Sequence, residues 1–286
     1  MIANGNATVH VSDLGAAIRF YSETLGLKLT NRFGERWATV ETTPSYWTTD
    51  AAHAGLIIGL RPSTAPGEAT VSSRVAPGTR GGVGYGLETY RPCEEVIAEF
   101  AKRGVRVTSD IIRFDAGNVF AFEDCDGFPS YVHEFPPEMV DDAHRERHAR
   151  SGAAHALISG GHAIVYVSDM DAAIRFYADT LGLTLSNRFE NHFATVEAGS
   201  LVIGIHPITP ATPQPGTKGS VTLSLVVDEP INTVLSRLAQ RGVRTTGRSE
   251  AGRSVDIEDL DGNVITLWEA HALTSEREFA ATALTW

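Results

Sequence analysis

Apolar and polar positions alternate through Val9 and Val11, and again through Ala163, Val165 and Val167, the period-two pattern of a strand with one face on a core. Each run ends in a serine–aspartate pair, Ser12-Asp13 or Ser168-Asp169, which offers N-cap chemistry for a helix. The period then lengthens. Ala17, Phe20, Tyr21 and Leu25 recur at helical spacing, and Gly26, like Gly182, stands where a left-handed C-terminal cap is needed. A second strand-and-helix pattern follows in each half. The strands are Val83–Thr89 and Val221–Val227, the helices carry Ile97 and Phe100 or Val234 and Leu238, and Gly104 or Gly242 ends them. Asp126-Gly127 and Asp261-Gly262 mark tight turns between closing strands. The pattern predicts strand, helix and three strands, four times over.

The chain repeats itself. Val11 to Glu41 aligns without a gap on Val167 to Glu197, with 21 of 31 positions identical. GLIIGLRP (Gly55 to Pro62) corresponds to SLVIGIHP, AKRGVRV (Ala101 to Val107) to AQRGVRT, and EDCDG to EDLDG. A duplication on this scale predicts α+β architecture: four βαβββ modules paired into two homologous domains, residues 1–136 and 161–271, with the pairing of the modules, in order or swapped, left open. Residues 137–160, after Pro136-Pro137 and through the charged run DDAHRERHAR, are expected to form a partly helical linker, and 272–286 a C-terminal tail. The first copy carries an insertion, TTPSYWTTDAA (TTPSYWTTDAAHA in its wider context), next to the first cleft, where Tyr46, Trp47 and His53 could cover a ligand.

Composition narrows the function. The 286 residues are 42% hydrophobic and 21% charged, ordinary for a globular protein with room for two domains. A formal charge of −11 opposes a general nucleic-acid or anionic-membrane surface. Cys93 and Cys125 are too few for a disulfide framework and have no visible metal or histidine partner, so two reduced thiols are expected. Neither a signal-peptide pattern nor a membrane-length apolar run occurs, which gives a cytoplasmic expectation. Phosphate-loop, nucleophile-elbow and dinucleotide motifs are missing as well.

The phrase VSDxxxAIRFYxxTLGL, the RGV after a second helix and DxDG before a final strand together resemble the vicinal oxygen chelate superfamily. Its members include glyoxalase I, bleomycin resistance proteins and type I extradiol dioxygenases, and four modules in one chain look most like the last. The resemblance implies half-barrel clefts holding a divalent metal (Fe, Mn, Zn or Ni) that chelates vicinal oxygens. It also implies ligands at two places in a module: a histidine five residues before the Val of VSD, and a Glu or His in the last strand. The first place holds His162 in the second copy but Asn6 in the first; Thr222 and about Gly84 stand there in the other modules. The second holds Thr266, Tyr131, Gly59 and Gly204. One histidine does not make a three-donor site. A displaced His162–His206 pair is conceivable as a metal site with a third ligand unknown, and a metal-free site is equally compatible with these residues.

Alternation predicts which polar side chains share a face. For the N-terminal domain these are Asn6, His10, Arg61, Glu88, Tyr131 and His133. For the C-terminal domain they are His162, Tyr166, His206, Thr222, Ser224, Thr266 and Trp268. His10, Glu88 and His133 are expected to cluster, with Glu88 holding the tautomer of a neighbouring imidazole. His162, with Tyr166 and His206 beside it, is the first candidate for the reactive cleft. Two readings stay open. One is an enzyme acting on a small oxygenated, aromatic or dicarbonyl-like metabolite by proton transfer, rearrangement or oxygenation. The other is a metal-independent protein that sequesters a drug or metabolite, as a monomer or homodimer.

Overall fold

A computed structural model of the chain describes residues 1–48, 55–63, 75–135, 140, 142, 146, 156–249 and 254–270. The proposed tail, His53 and nearly all of the charged run lie outside them. The first module contributes β1 (Ile2–Val11), β2 (Lys28–Phe33), β3 (Trp37–Glu41) and β4 (Ile57–Pro62). The second contributes β5 (Val83–Thr89), β6 (Ile112–Phe114), β7 (Gly117–Glu123) and β8 (Pro129–Glu134). The third supplies β9 (Gly160–Val167), β10 (Thr184–Phe189), β11 (Phe193–Ala198) and β12 (Leu201–Pro207), and the fourth β13 (Val221–Val227), β14 (Thr245–Arg248), β15 (Ser254–Glu258) and β16 (Val264–Glu269). The strand–helix–three-strand repeat is therefore present four times.

Helix α1 (Leu14–Ile18) starts where Asp13 accepts the Ala16 N–H at 2.6 Å, and runs into a π-helical turn, Arg19–Thr24. In the third module α3 (Met170–Arg175) repeats this with Asp169 on the Ala172 N–H. Helices α2 (Cys93–Lys102) and α4 (Ile231–Gln240) each begin after a proline and press Val96 and Phe100, or Val234 and Leu238, onto the sheets. Gly26 and Gly182 hold φ of +83° and +81°, the left-handed conformation that ends both π turns.

The modules do not pair in chain order. One eight-stranded sheet runs β14-β15-β16-β13-β1-β4-β3-β2 and the other β10-β11-β12-β9-β5-β8-β7-β6. Module one thus shares a sheet with module four through antiparallel β1 and β13, and module two with module three through β5 and β9. The sheets therefore do not coincide with residues 1–136 and 161–271: the modules swap partners, one of the two pairings that the sequence leaves open. The physical reason lies at Gly81 and Gly219, where the chain entering β5 and the chain entering β13 cross. A Cβ on Gly81 would stand 2.4 Å from the Gly219 nitrogen, and one on Gly219 would stand 2.5 Å from the Gly81 nitrogen. Only residues without side chains allow such an approach. At the crossing the Gly82 N–H donates to Thr217 O, and the Ser220 N–H to Thr79 O. The chain thus changes sheet between β4 and β5 and changes back between β12 and β13.

Candidate functional site

The swapped pairing regroups the polar residues. Glu88, Tyr131, His133, His162, Tyr166 and His206 lie together on the sheet of modules two and three. Asn6, His10, Arg61, Thr222, Ser224, Thr266 and Trp268 lie on the sheet of modules one and four. The expected cluster of His10, Glu88 and His133 is thereby divided, and Glu88 meets His162 instead.

The strands explain the meeting. In the antiparallel β5–β9 ladder Gly86 opposes His162 and Glu88 opposes Gly160, while parallel β8 sets Tyr131 beside Gly86. A Cβ on Gly160 would lie 2.5 Å from a Glu88 carboxylate oxygen, and one on Gly86 would lie 2.5 Å from the Tyr131 ring. Both glycines therefore vacate space that the site's side chains occupy. His162 Nδ1 lies 2.8 Å from Glu88 Oε1, and its Nε2 lies 2.9 Å from the Tyr131 hydroxyl. Glu88 and His162 are each 1% exposed. An ionised carboxylate can only accept, so Nδ1 carries a proton, and in the singly protonated ring Nε2 accepts from the Tyr131 O–H. The result is a continuous relay from a buried carboxylate to a half-buried phenol.

Burial alone would raise the Glu88 carboxyl. The hydrogen bond and charge attraction of His162, with donors from Ser45 and Tyr46, overcome that and hold it below the usual carboxylate value. Burial pushes the Tyr131 phenol well above its ordinary value, and the neighbouring Tyr166 and Glu88 add to the rise. His133 and His206 are lowered chiefly by burial.

Aromatic rings wall this face. Phe193 stands 6.1 Å from His162 and 6.5 Å from His206, centroid to centroid, and Tyr166 stands 5.8 Å from His206. Trp47 comes from the module-one insertion and crosses to this sheet, packing against Phe135, Phe189 and Phe193 at 5.2–5.5 Å. Its carbonyl accepts from Asn187 Nδ2 at 3.0 Å, and its buried indole N–H has no acceptor among the described residues. The Tyr46–Trp47 part of the insertion thus lies over the sheet of modules two and three, against Glu88 and His133 of the expected N-terminal group, while Asn6, His10 and Arg61 stand on the other sheet. Sequence reasoning passed over Ser45, whose hydroxyl donates to Glu88 Oε1 at 2.6 Å. Only the insertion's position marked it.

The other sheet repeats the frame with different chemistry. Asn6 stands opposite Ser224, which neighbours Thr266, which opposes Asp256; on the relay sheet the same places hold His162, Gly86, Tyr131 and Ala121. Thr8 donates to Asn6 Oδ1 at 3.0 Å and lies 2.9 Å from the Ser224 hydroxyl, while Thr266 donates to the buried Asp256 at 2.8 Å. Hydroxyls and one amide replace the relay. His10 and Arg61 are register neighbours there, and burial, with the guanidinium's charge, lowers the His10 imidazole to about 4.

The sequence comparisons now fit what the geometry shows. Residues 5–129 and 160–267 match the Glyoxalase/Bleomycin resistance protein/Dioxygenase superfamily. The chain belongs to that superfamily. Virulence protein STM3117 of Salmonella typhimurium is 32% identical over 117 residues, which are 37% of this chain and 80% of that protein. Glyoxalase I from Zea mays has the same fold, with a TM-score of 0.61, 13% identity, and coverage of 99% of this chain and 95% of that one. An antibiotic binding protein from a Streptomyces species is 30% identical, covering 37% of this chain and 90% of that one, with a TM-score of 0.32.

The side chains of this superfamily member do not fit the divalent metal that its fold implies. Both ring nitrogens of His162 are engaged, by Glu88 and Tyr131. His206 directs Nδ1 to the Pro207 carbonyl at 2.7 Å, and the Phe193 ring lies near both imidazoles. Among the described residues no group of three or more His, Cys, Asp or Glu is placed to hold an ion. The candidate pair His162 and His206 is accordingly not arranged as a metal site. Among those same residues, no helix is long and apolar enough to cross a membrane.

Proposed function

We propose that this superfamily member is a metal-independent acid–base enzyme acting on a small oxygenated, aromatic or dicarbonyl-like metabolite at the relay sheet. The observation that carries the reading is the unbroken Glu88–His162–Tyr131 chain, buried at its charged end and half-buried at its tyrosine. Tyr131 is the catalytic residue in this reading. As its hydroxyl gives a proton to His162 Nε2, the oxygen can take one from an acidic O–H or C–H of the substrate, and the imidazolium formed is balanced by Glu88. Returning the proton to another atom of the same molecule completes an isomerisation without any other reactant. Burial of the phenol favours this coupled transfer over a free phenolate. Tyr166, Phe193 and His206 offer flat surfaces for an aromatic or conjugated ligand.

The test is solvent exchange. A panel of vicinal dicarbonyl and hydroxyaromatic compounds is incubated with the protein in deuterium oxide, and loss of proton signals is followed by NMR. At least one compound should exchange faster with protein, and Tyr131→Phe and His162→Gln should each slow it by about 10²-fold or more. Compounds that bind without exchange would instead support sequestration, and exchange unaffected by both substitutions would remove Tyr131 from the chemistry.

A further inference from the structure

The insertion belongs to module one, yet Ser45, Tyr46 and Trp47 make polar contacts with residues of the other sheet. Ser45 Oγ donates to Glu88 Oε1 at 2.6 Å, and the Tyr46 N–H donates to Oε2 at 2.7 Å. The Trp47 N–H in turn donates to Ser45 Oγ at 3.2 Å, which orients that hydroxyl toward the carboxylate. The run is pinned on both sides: the Thr43 hydroxyl donates to the Ser159 carbonyl, and Asn187 Nδ2 holds the Trp47 carbonyl at 3.0 Å. Tyr46 stacks on Phe135 with ring centroids 4.0 Å apart. The duplicated counterpart in module three has no such segment, since β11 and β12 are joined by a tight turn at Gly199 with φ of +58°. Glu88 is thus a strand residue of one sheet with both carboxylate oxygens bonded by a loop of the other.

We infer that the Ser45–Trp47 insertion is a built-in part of the relay site, with Ser45 acting as the positioning residue that fixes Glu88 against His162 Nδ1. Without the two loop donors, Oε2 would lose its Tyr46 partner and Oε1 would keep only His162. A buried carboxylate with unfilled acceptor sites can rotate or take up a proton, and either change releases the His162 tautomer. The inference deepens the proposed acid–base reading and uses the same residues, but its principal readout needs no substrate.

That readout is the His162 Nδ1 proton. A proton shared with a buried carboxylate should give a resolved downfield signal that exchanges slowly with water, assigned by its disappearance in His162→Gln. In Ser45→Ala the signal should move upfield and exchange at least about tenfold faster. Ser45→Thr, which keeps the hydroxyl, should restore it. Asn187→Ala, which frees the insertion without touching Glu88, should also speed exchange, and it serves as the second variant where Ser45→Ala folds poorly. If a substrate is in hand, Ser45→Ala should lower kcat with little change in KM. A Nδ1 signal unchanged in position and exchange in both Ser45→Ala and Asn187→Ala would overturn the inference, whatever the turnover assay shows. Absence of turnover with the signal behaving as expected would instead count against the acid–base reading alone.

Discussion

His10 gives a prediction whose size follows from its surroundings. It is 1% exposed, its Nδ1 has no hydrogen-bond partner among the described residues, and burial with the adjacent Arg61 charge lowers its pKa from 6.5 to about 4. A depressed histidine pKa means that the unfolded chain takes up the proton first as pH falls. Its contribution is neutral at pH 7.5 and turns against folding between about 6.5 and about 4. At about pH 4.5 the unfolded state gains a factor of about 100 from protonation and the folded state about 1.3, a ratio worth roughly 2–3 kcal/mol. The perturbation is His10→Gln, which keeps a polar side chain but cannot titrate. Urea unfolding of both proteins, at pH 7.5 and about pH 4.5, cancels the carboxylates common to them. The variant should be the less acid-sensitive protein, its stability relative to the parent rising by roughly 2–3 kcal/mol on acidification. A difference between the two proteins that holds within about 0.5 kcal/mol at both pH values would refute a buried neutral His10.

Gly86→Ala would set a Cβ 2.5 Å from the Tyr131 ring. The ring must move, so the variant should lose about 1–3 kcal/mol in urea unfolding and, even where folded, lose the Tyr131–His162 hydrogen bond in a crystal structure. Among the thiols, buried Cys93 is pushed up by burial and by Glu134, and Cys125, a surface residue with a partly sheltered sulfur, is pushed up to about 12 by that shelter and its aspartate neighbours. One thiol, Cys125, should react with an aromatic disulfide reagent in the native protein, more than about tenfold slower than free cysteine, and Cys93 should react only on unfolding. Fast reaction of both would contradict those environments.

The predicted modules formed because their signals are local. Alternation, the Asp13 and Asp169 caps and the left-handed glycines each act within a few residues, and duplication repeated them. Which modules share a sheet is set elsewhere, by a backbone crossing at Gly81 and Gly219, 138 positions apart in sequence. No periodicity within a strand reports that contact. The same limit explains the site. Period-two reasoning put Glu88, Tyr131 and His162 on inward faces, yet it assigned them to two different clefts, because the ladder joining β5 to β9 was not visible in either strand alone. What the sequence did carry was negative space: glycines at 86 and 160, directly opposite His162 and Glu88 in that ladder. Read as gaps rather than as turns, they say that something large must enter from across the sheet. On the sheet of modules one and four the place of Gly86 is taken by Ser224, the tyrosine by Thr266 and the histidine by Asn6. Serine already fills the space that an incoming ring would need, so a histidine restored at position 6 would still have no phenol to reach. A relay therefore depends on the glycine as much as on the titrating groups, and the two sheets could not have exchanged chemistry by a single substitution.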